Sequence, residues 1–267
     1  MTIELRVLGV GLLGPGLADW AAGQAVLREP STWQPATTQV PAPQRLPATE
    51  RRRAGTGVKA SIGVADQALA ASGLDAATLG TVFTSSSGDT LNCHLLCETL
   101  ATPERAVSPT RFTNSVHNAP AGYWHIAAAS RAPSTSLAAC DASFAAGLLE
   151  AAVQCAATRA PVLLVACDGP YPEPLHALRP VADVFALALV LAPLAPDSGA
   201  PGRRLTVQIA AAVAPSRCEH AGLERVRQGI PAARALPLLL ALAAEAATEV
   251  VIEGLQGQAL RVAVAAR

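Results

Sequence analysis

Charge of one sign is what this sequence lacks most: twenty basic side chains balance twenty acidic ones over 267 residues, and only Arg51-Arg52-Arg53 concentrates a sign. That balance argues against nucleic acid and anionic membrane as partners. Lysine occurs once, at Lys59, and aromatic residues make up 3% of the chain. The arginine bias carries no functional weight. The six cysteines (Cys93, Cys97, Cys140, Cys155, Cys167, Cys218) form no compact framework, so a disulfide-built secreted fold is not expected. No charged segment followed by an apolar one opens the chain, and with unpaired cysteines this predicts a cytoplasmic protein. The longest apolar segments, 184–194 and 236–247, fall short of the ~20 residues that span a bilayer. No membrane insertion follows, and both segments read as core.

What the sequence does hold is apolar mass, 51% of all residues, enough for a sizeable core. Residues 3–13 are leucine-rich and β-branched and end in glycines, which suits a buried strand, with a helix following over 17–27. A proline-rich passage, 30–47, has no period and reads as a loop or a partner-facing arm. From Glu50 the pattern is helical: Val58, Ile62, Ala65 and Leu69 recur at three- and four-residue steps, and Gly73 stands where a helix-ending glycine belongs. Strands are predicted over 79–85, 134–139, 162–167, 182–191 and 204–212, and helices over 90–101, 114–129 and 142–158. The segment Asp197-Ser-Gly-Ala-Pro-Gly202 is a turn. A helix over 231–246 and a hairpin of 249–253 with 259–265 close the chain. Alternation of this kind defines an α/β fold.

Several motifs carry chemistry on paper. Gly9-Val-Gly-Leu-Leu-Gly14 matches the dinucleotide-binding pattern, but Pro15 and Gly16 stand where the phosphate-binding helix should start. The glycines read better as a tight turn. Cys93 and Cys97 flank His94 at helical spacing as half of a metal site; without a second ligand pair, the bland reading is two small core residues. We therefore expect neither a metal nor an organic cofactor. Asn114-Ser-Val-His-Asn118 is polar in an apolar neighbourhood, and its side chains either line a pocket or satisfy local backbone groups. Cys140 ends an extended run just before an Ala/Leu-rich helix, whose dipole would favour a thiolate. Asp141 beside it disfavours one. Of the five histidines, His94, His117 and His125 are expected on helices upstream, whereas His176 and His220 lie downstream in proline-flanked or charged surroundings. An acyl-transferring thiol needs a base and oxyanion donors, and none is evident.

RVLGVGLLGPGLADW (6–20), ERRRAGTGVKASIGVADQALAASGLDAATLGTVFTSSSGD (50–89) and VSPTRFTNSVHNAPAGYWHIAAASRAPSTSLAAC (107–140) occur in an order that resembles the N-terminal half of the β-ketoacyl synthases. The resemblance runs from residue 1 to about 195. It implies a thiolase-like layered α/β fold, with 1–195 the ketosynthase-like part and 196–267 a reduced strand, helix and hairpin packed on the same domain. Laid without gaps from Pro133, the family's catalytic cysteine falls on Asp141, with Cys140 one place early. The family's two glycine-flanked histidine motifs have no counterpart after residue 195.

That combination resembles the chain-length factors, subunits without a competent nucleophile that pair with a complete β-ketoacyl synthase. It is most similar to the short ones of aryl polyene and xanthomonadin-type pigment clusters. The resemblance implies no independent enzymatic activity and a heterodimer that reaches acyl carrier protein only through its partner. It implies that Ser134, Thr135, Ser136, Leu137, Ala138 and Ala139 run against their counterparts across the dimer. The loop from Ser108 would reach towards the partner's acyl tunnel, with Thr110, Arg111 and Phe112 nearest the growing chain. Asn114, His117 and Asn118 would lie behind them. Two alternatives remain: an acyltransferase or thioesterase that uses Cys140, and a purely structural scaffold subunit.

Overall fold

The computed structural model describes residues 2–194, 202–211, 213–255 and 257–267. Eight strands form one mixed sheet: β1 (Thr2–Leu13), β2 (Gly80–Thr84), β3 (Ser134–Leu137), β4 (Val162–Asp168), β5 (Phe185–Pro193), β6 (Arg203–Ala211), β7 (Thr248–Glu253) and β8 (Gln258–Val264). Their order is β3-β2-β4-β5-β1-β6-β8-β7. β2 runs parallel to both β3 and β4, and the other pairs are antiparallel. The helices are α1 (Trp20–Arg28), α2 (Ala48–Arg53), α3 (Thr56–Ser72), α4 (Thr90–Ala101), α5 (Pro109–Asn114), α6 (Ala119–Ala128), α7 (Ser143–Thr158), α8 (Leu175–Leu178), α9 (Ala221–Gly229) and α10 (Leu236–Ala243). The expected turn at 197–202 lies outside the described residues apart from Gly202, as does the expected division at 195/196.

Helices cover the centre of the sheet on both faces, which is why β5 is apolar without alternation. Phe185, Leu187, Leu189 and Leu191 point to the layer holding α1, α7 and α10. Ala186, Ala188 and Val190 point to the layer holding α3 and α6. Each fully buried leucine there contributes about 1.5–3 kcal/mol by leaving water. In β1 the register slips between Val7 and Gly9. Ile3, Leu5 and Val7 before the slip, and Val10 and Leu12 after it, all reach the same layer.

The same slip turns Gly9 and Gly11 towards α3. A methyl added at Gly9 would strike the Ala68 carbonyl oxygen, and one at Gly11 the Val64 carbonyl oxygen. The glycines of the dinucleotide-like motif thus let a helix backbone lie directly on a strand, and the chain after them makes its first helix only at Trp20.

Three expected helices are broken. The run from Glu50 is α2 and α3, separated at Ala54 and Gly55. The run 114–129 is α5 and α6, with Pro120 in the first turn of α6. The run 231–246 is a 3-10 turn, Pro231–Ala235, followed by α10 with Pro237 in its first turn. Proline lacks the N–H that a helix interior needs, so each marks a start and not a middle.

Candidate functional site

The strand-to-helix turn after β3 is where the family's nucleophile would stand. β3 ends at Leu137, so Ala138 and Ala139 lie beyond the strand that was expected to include them. Ser143, at the start of α7, closes the turn: its Oγ donates to the Cys140 carbonyl at 2.6 Å and accepts from the Ala139 N–H at 2.9 Å. Cys140 is exposed and holds a left-handed backbone, φ 47°. Such a conformation is uncommon outside glycine, asparagine and aspartate.

Asp141 is tied on both oxygens. Arg179, from the segment after α8, pairs with Oδ1, and Arg234, from the 3-10 turn before α10, donates to Oδ2 at 3.0 Å. Arg234 also pairs with Glu253 of β7 at 2.6 Å, and Arg179 stacks over Tyr171. The carboxylate thus fastens the turn to two distant parts of the chain. It is part-exposed, so solvent screens these pairs and their strength is modest.

The histidines are engaged elsewhere. His117 sits in the turn between α5 and α6, not on a helix, with Nε2 3.2 Å from the Ser85 carbonyl. His125 Nδ1 lies 2.9 Å from the Ser130 carbonyl, and His94 lies 3.2 Å from Glu98. His220 caps α9. His176 lies on α8.

A cleft of ≈ 580 Å³ opens between α2, α3, α4, α5 and the end of β4. Thr110, Arg111 and Asn114 line it, together with Arg52, Lys59 and Asn92. Phe112, from the same helix, is 68% exposed and does not line it. Asn114 is buried; its Nδ2 donates to the Arg53 carbonyl at 2.9 Å and its Oδ1 accepts from the Tyr123 hydroxyl at 2.9 Å. His117 instead lines a smaller neighbouring pocket with Val116, Phe83 and Ser61. Asn118 is exposed at the start of α6. Of the residues singled out around 110–118, Thr110, Arg111 and Asn114 line one pocket and His117 another that shares Gly57, Gly88, Asp89 and Cys167 with it, whereas Phe112 and Asn118 line neither. Asn114 and His117 each line a pocket, and the backbone carbonyls they engage, those of Arg53 and Ser85, are distant in sequence and not local.

At the end of β4, in the lining of the large cleft, stands Asp168, which the sequence reading missed. It is 3% exposed, and its Oδ1 accepts from Ser85 Oγ, Ser86 N and Ser86 Oγ at 3.1, 2.7 and 2.7 Å. Burial pushes its carboxyl above the usual range, against the pull of those donors and of the Ala232 N–H. Its neighbour Cys167 is pushed up to about 12, mainly by burial, so that thiol is inert. Cys93 and Cys97 are exposed on α4, not in the core. Among the described residues no group of three or more potential ligands could hold a metal ion.

Layered α/β architecture around a mixed eight-stranded sheet is that of the thiolase-like ketosynthases. The family model described as "Beta-ketoacyl synthase, N-terminal domain" matches residues 20–248, and the chain belongs to that family. The match extends past residue 195, where the recognised sequence segments end. No curated protein matches the sequence. Among solved structures, one described as the ketosynthase ApeO in complex with its chain length factor ApeC, from Xenorhabdus doucetiae, is 22% identical with a TM-score of 0.72. The alignment covers 99% of this chain and 100% of that one. A second, described as the ishigamide ketosynthase/chain length factor, is 14% identical with a TM-score of 0.71 and covers 99% of both chains. A third, described as AntDE:AntF, an acyl-carrier protein in complex with its ketosynthase, is 14% identical with a TM-score of 0.76 and covers 100% of both chains. At these identities the likeness establishes the fold. No helix of the described residues is long and apolar enough to cross a membrane.

Proposed function

We propose that this chain is a non-catalytic chain-length factor: a ketosynthase-like subunit that pairs with a complete β-ketoacyl synthase and shapes the tunnel for its growing acyl chain. One observation carries the reading. The position where the family's nucleophile aligns is an aspartate bound by Arg179 and Arg234, and the histidines make their contacts elsewhere. An ion pair of that kind offers no thiolate, no general base and no vacant oxyanion site. Two of the solved structures with this fold are described as ketosynthase and chain-length-factor assemblies, which supports the same role.

Edge strand β3 is the docking element in this reading. The Thr81 N–H bonds the Pro133 carbonyl and the Ser85 N–H bonds the Leu137 carbonyl. Odd-numbered residues therefore face β2, and by alternation Ser134 and Ser136 aim their N–H and C=O groups at the open edge. A partner's strand would complete them. Thr110, Arg111 and Phe112 would bound the tunnel, with His117 and Asn118 behind. Acyl carrier protein would reach the pair through the partner, in a cytoplasmic pathway to an aryl polyene or xanthomonadin-type pigment.

The test is an elongation assay on carrier protein with the cognate ketosynthase. The chain alone is expected to elongate nothing, Cys140→Ala to change little, and Phe112→Ala to shift product length in the reconstituted pair. Unchanged product length would leave only a scaffold. The second reading, an acyltransferase or thioesterase using Cys140, is favoured by that thiol's exposure and its left-handed backbone. A stable thioester on Cys140, located by mass spectrometry, would replace the leading reading.

A further inference from the structure

Cationic side chains outnumber carboxylates in the large cleft, with Asp89 and Asp168 the two acids in its lining. Arg52, Lys59 and Arg111 line it, and none of the three side chains has an ion-pair or hydrogen-bond partner among the described residues. Arg53 lines it too, but pairs with Glu50 at 3.5 Å. Both carboxylates take neutral donors and pair with none of these cations: Asp89 Oδ1 accepts from the Asn92 N–H at 2.9 Å and Asp168 from Ser85 and Ser86, while the Asp89 charge offsets part of the positive excess.

The walls that carry these cations are fixed from behind by buried amides. Asn92, 8% exposed, donates to the Arg111 carbonyl at 2.8 Å. Asn114, 7% exposed, donates to the Arg53 carbonyl next to Arg52. Buried amides that anchor two arginine-bearing segments make a preorganised charged cleft rather than a loose surface cluster. The volume of ≈ 580 Å³ is within the ~300–1,000 Å³ of ordinary small-molecule sites. The start of α3, at Thr56 and Gly57, adds the positive end of a helix dipole to the same rim.

Hydrocarbon is a poor occupant, because it would strip water from three cations and return nothing. We propose that the cleft binds an anionic oxygen group, a carboxylate in particular, carried at the far end of the acyl chain that the tunnel receives. This rests on the chain-length reading, and it assigns that reading a substrate class: starters whose far end, aryl or alkyl, carries an acidic group. Arg111, with Lys59 and Arg52, would hold the head, and Thr110 would line its approach.

The first measurement is a calorimetric titration of the full chain with suberate, octanoate and inorganic phosphate, repeated on Arg111→Gln and Lys59→Gln. Suberate is expected to bind about tenfold tighter than octanoate, with each substitution removing that preference and leaving octanoate unchanged. Equal affinities, or a preference that survives both substitutions, would overturn the anion site. Phosphate binding more tightly than suberate would overturn the acyl-end assignment in favour of a phosphate site. The second measurement is elongation by the reconstituted pair from carboxylate-ended and methyl-ended starter thioesters of equal length. A roughly tenfold kcat/KM preference for the acidic starter, lost in Arg111→Gln, is expected. If Phe112→Ala shifts product length but Arg111→Gln leaves starter preference unaltered, the anion site is wrong and the chain-length reading stands. If suberate binds as expected but no ketosynthase pairs with the chain, the acyl-end assignment falls together with the chain-length reading.

Discussion

Asp141, Arg179 and Arg234 lie 38 and 93 residues apart in pairs that share the aspartate, and no local pattern links them. Spacing rules see one element at a time, so a cysteine ending an extended run before a helix was legible and the ion pairs on its neighbour were not. Asp168 was hidden for a similar reason: its donors, Ser85 and Ser86, belong to the turn after β2. Glu224 shows what a charge gains when its partners are close. Hydrogen bonds from Arg227, then from the Cys218 N–H and Gln228, hold its carboxyl down at about 2, from an ordinary 4.5. A depressed carboxylate stabilises the fold above its unfolded pKa, and that contribution is lost as pH falls through the folded one. Denaturant midpoints between pH 5 and 2 are therefore expected to fall for the wild type and to fall less for Glu224→Gln. At pH 7 the substitution should cost about 1.5–3 kcal/mol.

At the scale of elements, the strands were legible to within a few residues because both faces of the central sheet are covered and its strands are apolar runs. Helix interruptions were less so. Pro120 and Pro237 stand inside apolar periods that continue across them, and the periodicity hid the start signal each one carries. α9 was missed because its charged surface leaves few buried residues, chiefly Leu223, and its cap is His220 instead of a serine or aspartate. Gly9 and Gly63 make a matched pair. Gly9→Ala should cost more than about 3 kcal/mol or prevent folding, since the Ala68 carbonyl cannot move without α3. Gly63→Ala, on the open side of α3, should stabilise by about 0.5–1 kcal/mol through helix propensity. Thermal unfolding distinguishes them. Ser136→Pro removes only an N–H aimed at the open edge of β3, so the monomer's melting temperature should move little. Binding to the ketosynthase, measured by interferometry, should weaken at least tenfold.

For the whole molecule, the sheet continues from β3 at one edge to β7 at the other, and the tail strands extend the layer begun by β1. Leu91 of α4, Phe112 of α5 and Val116 after it are large apolar side chains left exposed. Exposed apolar side chains and an open strand edge on one molecule favour a protein surface over water. A homologous subunit is the cover that the chain-length reading supplies. The most direct measurement is co-expression of this chain with its neighbouring ketosynthase, followed by size-exclusion chromatography with mass detection. A stable one-to-one complex is the predicted result. A well-behaved homodimer that ignores the ketosynthase would contradict the chain-length assignment and return attention to Cys140.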